Sequence, residues 1–161
     1  MSCAPETIRS RRGRILKNLI RQLQTISVAN GYATDIVNVT TEIRNWDQTE
    51  EAQTPVLYII DMGSTPQYNA SRLTEWTWRL NLTGLLKNAS QQAMENMCAD
   101  IMDCLFANGT LSFDGEIPGP SAQVRISNVV TDGQFMRELD GSQLFTISIN
   151  VLFTASAFRA R

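Results

Sequence analysis

The densest group of reactive side chains lies at the start of the chain, where Arg9, Arg11, Arg12, Arg14, Lys17 and Arg21 stand against a single acid, Glu6. Residues 1–30 carry +5 and the remainder −7, in a chain whose net charge is −2. Cations in such number bind phosphates or carboxylates. The chemistry they suggest is contact with nucleic acid, an anionic membrane surface or an acidic protein, against the plainer reading of a solvated helix face. A second group, Glu95, Asp100 and Asp103, falls in a helical pattern at spacings that spread it over the exposed side. These read as solvated surface acids and not as a carboxylate pair across a cleft. The chain has no His and three Cys. A Ser or Cys nucleophile usually relies on an adjacent His, and zinc sites draw on clustered Cys and His. The sequence therefore predicts no enzymatic activity, no cofactor and no metal site.

Cys98 and Cys104 are six apart in a predicted helix, so they point to different sides and cannot bridge. Small apolar thiols of this kind are commonly core residues. With Cys3 the number is odd, and the start of the chain lacks the apolar stretch of a signal peptide; both point to a reduced, intracellular protein. The five Asn-x-Ser/Thr triplets then reflect a chain rich in turn-forming polar residues, not glycan sites. The longest apolar run, Val56 to Ile60, is far too short for a membrane span. Trp76 and Trp78 share one face of a predicted strand and read as core. Trp46, in a polar loop with Asp47, Glu50 and Glu51, is either an interface anchor or a side chain folded back on the domain. Arg9, Arg11, Arg12, Arg14, Trp46, Asp47, Glu50 and Glu51 are the candidate protein-interface residues.

The elements that must position these residues follow from periodicity. A length of 161 residues predicts one domain with a real core. Ile8, Ile15, Leu16, Leu19, Leu23 and Ile26 form one helical stripe, which predicts a helix over 5–29 stopped by Asn30-Gly31. Alternation predicts strands over 36–44, with Val37, Val39, Thr41 and Ile43 on one face, and over 56–61, apolar on both faces and hence central or covered. A loop over 62–71, marked by Gly63 and Pro66, leads to a strand over 75–83. A helix follows, capped by Asn88 or Ser90, with Met94, Met97, Cys98, Ile101, Leu105 and Phe106 on its apolar face. After a Gly- and Pro-rich loop over 110–121, strands over 122–131 and 142–154 make an antiparallel hairpin, with Val124 and Ile126 inward on the first. The expected fold is α+β: a largely antiparallel five-stranded sheet with two helices packed on one face, in the order α-β-β-β-α-β-β. Its other face is polar, and such a sheet with open edges is a natural assembly surface.

That order resembles the tail terminator proteins of long-tailed bacteriophages over about residues 6–154. The pieces that carry the resemblance are the opening helix with RILKNLIRQL, the PVLYII strand, the WTWRLNL strand, the ADIMDCLF helix and the closing FTISINVLF strand. None is a residue-level signature, and the resemblance brings no catalytic residues. It implies a structural virion protein that forms a ring, usually hexameric, on the end of the tail tube. The ring ends tube polymerisation and offers the head or neck a surface. The implied partners are other copies of the chain, the tail tube protein, a neck or head-completion protein, and the DNA that passes through the lumen. The implied location is the virion tail, with assembly in the host cytoplasm. The basic start and the acidic loop match no family motif. Two other readings remain open: a different neck or tail-completion protein, and a small nucleic-acid-binding module using the basic helix.

Overall fold

A computed structural model describes residues 11–42, 50–68, 73–106, 125–131, 136–137 and 143–156. The fold is α+β: two helices and a mixed sheet whose principal four strands give the order α-β-β-β-α-β. The elements are α1 (Arg11–Leu23), β1 (Asn38–Thr40), β2 (Val56–Tyr68), β3 (Leu73–Leu86), α2 (Gln91–Phe106), β4 (Arg125–Thr131), β5 (Met136–Arg137) and β6 (Gln143–Ser156). Spatial order in the sheet is β1-β2-β3-β6-β4, and β5 also pairs with β6.

The sheet is mixed because β1 runs parallel to β2; the other described pairings are antiparallel, as expected of a largely antiparallel sheet. β1 is also three residues long, not nine. The Thr40 hydroxyl accepts a hydrogen bond from the Glu42 N–H at 3.0 Å, and a local side-chain bond of this kind competes with ladder pairing. Val39 is buried as expected, but Val37 is 57% exposed and bonds through its N–H to the Pro55 carbonyl at 2.8 Å. Ile43 and Arg44 lie outside the described residues.

β2 continues to Tyr68, through the stretch expected to be a loop. Two features make this tolerable. Between Asp61/Leu80 and Ser64/Trp78, β2 advances three residues while β3 advances two; the extra residue is a bulge, and Gly63 takes its φ of 98°. Pro66 has no N–H to donate, but β1 pairs β2 only as far as Tyr58, so Pro66 sits where β2 is an edge.

β3 and β6 form the centre, paired without a break from Leu73/Ser156 to Leu86/Gln143. Strand alternation places Trp78, Leu80 and Leu82 on one face with Phe145, Ile147, Ile149, Val151 and Phe153, all buried. Leu57 and Ile59 of β2 lie on that same side, and the whole set joins Ile15, Leu19 and Leu23 of α1 and Met94, Met97 and Ile101 of α2 in one cluster. Both helices therefore cover one face. The other is polar: Thr83 meets Thr146 at 3.3 Å, and the Ser148 hydroxyl donates to Asn81 at 2.8 Å. A small second cluster of Val56, Tyr58 and Leu85 closes one end of this outer face, as expected for a β2 apolar on both sides.

α1 ends at Leu23, short of the expected stop, and a 3-10 turn follows at Val28–Asn30. Gly31, with φ 92°, closes that turn and not the α-helix. Ser90, not Asn88, caps α2, its hydroxyl accepting the Ala93 N–H at 3.1 Å. The buried stripe of α2 is Met94, Met97, Ile101, Cys104 and Leu105. Cys98 is half-buried on its flank, and Phe106, expected inward, is 39% exposed at the helix end. Asp100, expected on the exposed side, is buried and accepts the Ala33 N–H at 3.1 Å, tying α2 to the segment after α1. The expected loop over 110–121, Ile8 and Val124 lie outside the described residues, as does the side chain of Ile126.

Candidate protein-interface site

Of the eight candidate interface residues, Arg9, Trp46 and Asp47 lie outside the described residues, as do the side chains of Arg11 and Glu51. Glu50 is exposed, and its N–H donates to the Gln53 side-chain oxygen at 3.1 Å. Arg14 is half-buried. Arg12 is committed inside the subunit.

Regular alternation from Leu57 and Ile59 puts Asp61, paired with Leu80 just before the bulge, on the helix side of the sheet, where three elements converge on its carboxylate. Oδ1 accepts from the Gly63 N–H at 2.8 Å and from the Trp78 indole N–H at 2.9 Å. Oδ2 pairs with the Arg12 guanidinium. That guanidinium also lies over the Trp78 ring, 4.7 Å from its centroid, a cation–π contact. Trp78 in turn meets Phe153 edge to face, with centroids 6.3 Å apart and planes at 75°. Partial burial pushes the Asp61 pKa up. The Trp78 and Gly63 N–H groups and the Arg12 charge outweigh it, so the carboxyl titrates below its ordinary range. Arg12 and Asp61 remain 38% and 49% exposed, so water screens the pair and its energy is small. The arrangement fixes the first turn of α1 on the sheet.

Sequence reasoning named Arg12 and Trp78 but missed that Asp61 joins them. The signal was the alternation Leu57, Ile59, Asp61, which puts a carboxylate on the core face of β2. An open cavity of about 360 Å³ adjoins the cluster, lined by Leu16, Thr41, Ile59, Ile60, Asp61, Trp78 and Leu80. No protein-family model matches the chain, and no curated protein matches it. Architecture and surface chemistry must carry the functional reading.

A second pocket, of about 240 Å³, lies at the β1 edge and includes Val56 and Tyr58, which point away from the helices. Glu42 is the charged residue among its described lining. Elsewhere, the Cys104 thiol donates to the Gln22 carbonyl at 3.3 Å. Tyr32 has its pKa raised by burial first and then by Cys104 and the acids of α2. Burial, aided by Glu95, pushes the Cys98 thiol up to about 12. Among the described residues, no three His, Cys, Asp or Glu side chains are grouped to hold a metal ion.

Proposed function

We propose that this chain is a structural protein of a bacteriophage tail, similar to the tail terminators. In this reading it forms a ring, hexameric as in that family, which caps the tail tube, ends its polymerisation and presents the surface to which the head or neck attaches. The supporting observation is the architecture: the order α-β-β-β-α-β with both helices on one face, which leaves a polar sheet face for assembly. The reading takes β4 and β6 as the last two strands of a five-stranded, α-β-β-β-α-β-β domain. The tube protein and a neck or head-completion protein are its partners, and DNA passes through its lumen.

Negative-stain microscopy of the protein mixed with purified tail tubes tests this. Rings at one end of tubes, and tubes that no longer elongate when monomeric tube protein is added, are expected. Tubes that bind no protein and keep growing overturn it. Binding only to the completed head favours a neck or head–tail joining role.

A further inference from the structure

We infer that the pocket at the β1 edge receives the Arg21 side chain from α1 of a second copy, with Lys17 beside it. This rests on the ring reading above and names the contact that would build the ring.

The donor side follows from helix geometry. α1 turns Ile15, Leu19 and Leu23 into the core, and Lys17 and Arg21, one turn apart, stand exposed on the opposite side. The helix contains no acid, so nothing along it offsets two like charges at that spacing. Arg12 has Asp61, whereas neither Lys17 nor Arg21 has an ion-pair partner among the described residues.

The acceptor side has matching chemistry. Thr40 Oγ is taken by the Glu42 N–H, and Gln53 Oε1 by the Glu50 N–H. Glu42 brings the carboxylate of the described lining and Asn38 an amide, beside the apolar side chain of Val56 and the ring of Tyr58. A carboxylate above apolar walls suits a long cation, whose methylenes pack while its guanidinium bonds. The pocket, of about 240 Å³, is large enough to hold several waters that one such side chain would displace.

Position decides the symmetry. Lys17 and Arg21 lie on the side of α1 away from the core, and the strand residues lining the pocket, Asn38, Thr40, Val56 and Tyr58, share the sheet face away from the helices. The cations and the pocket thus belong to opposite layers of the subunit, so a contact between them joins different faces of two copies. The contact is head-to-tail, the kind that closes into a ring when its rotation permits.

Charge exchange on the full chain tests this, read as the concentration giving half-maximal rings on tail tubes. Arg21→Glu and Glu42→Arg should each raise it about tenfold or more, because each opposes like charges. The combined variant should return to within about threefold of wild type. As a second readout, a mixture of Arg21→Cys and Glu42→Cys subunits, both in a Cys3→Ser background, should cross-link between copies. Single variants that assemble like wild type, a combined variant that stays defective, or no cross-link would each overturn the contact and leave the ring reading standing. Failure of wild type to form rings would overturn both. If Arg21→Glu loses duplex DNA binding while Glu42→Arg assembles normally, the helix face serves a phosphate backbone and the contact is wrong.

Discussion

Gly84 stands opposite Phe145 at the centre of the sheet, and both are buried. A Cβ added at Gly84 would fall 2.2 Å from Phe145 Cε1 and Cζ and 3.1 Å from Cδ1. Carbon atoms pack best at about 3.5–4.0 Å, so the ring would have to retreat by roughly 1.3–1.8 Å. It has nowhere to go, since Phe145 is 2% exposed within the main cluster. Overpacking of this kind costs about 1–3 kcal/mol. If the position had room, the sign would reverse, because Ala in a strand interior is favoured over Gly by roughly 0.5–1 kcal/mol. Gly84→Ala should therefore lower stability in urea by about 2 kcal/mol and Tm by roughly 4–8 °C. Phe145→Leu opens the space and should couple to it. The double variant should lose less than the sum of the singles by about 1 kcal/mol. A neutral or stabilising Gly84→Ala, or strict additivity, would refute the claim that the ring occupies the space of the missing Cβ.

The Asp61 cluster makes stability depend on acid. A carboxyl with a lowered folded pKa contributes stability that is fully present above its unfolded value, near 3.8, and is lost as pH falls through the folded value. Wild type should lose this contribution below about pH 4, and Asp61→Asn should not; parallel urea midpoints for the two proteins from pH 2 to 7 would contradict the assigned contacts. The Cys98 thiol, held up to about 12, should resist thiolate chemistry. In a Cys3→Ser background its iodoacetamide labelling at pH 8.5 should be about a thousandfold slower than that of free cysteine. Labelling at the free rate would show that the site is open to water.

Period-two alternation made β3 and β6 readable almost residue by residue, because each has one face against helices and one against water. Trp78, Phe145 and Val151 all lie where that pattern puts them. The length of β1 is not legible, because Val37 and Val39 share an alternation that carries no information about pairing; Val37 is exposed just before the ladder begins at Asn38. The second half of β2 is illegible in the sequence because Gly63 and Pro66 are loop residues by type, and only the partner strand reveals a bulge and an edge. Asp100 illustrates the remaining gap. A carboxylate is exposed by default, and its burial depends on the Ala33 N–H, a partner 67 residues away. The same holds for Arg12: its charge was legible, but not the neutralising Asp61, 49 residues on.

The place of β6 between β3 and β4 has a consequence for synthesis. Its partners on β3 precede it by 57 residues at Leu86/Gln143 and by 83 at Leu73/Ser156. Pairing so distant in sequence raises contact order and slows folding. On the ribosome, the β2–β3 hairpin and α2 emerge with their apolar sides made but without the strand that completes the sheet. Along β3 the hydrogen-bonding edge stays unpaired, and Trp78, Leu80 and Leu82 lack their neighbours Val151, Ile149 and Ile147 until β6 arrives. Such a nascent chain is a natural client for chaperones. Its yield in cells should depend on how quickly β6 follows α2 out of the exit tunnel, more than on the stability of the finished fold.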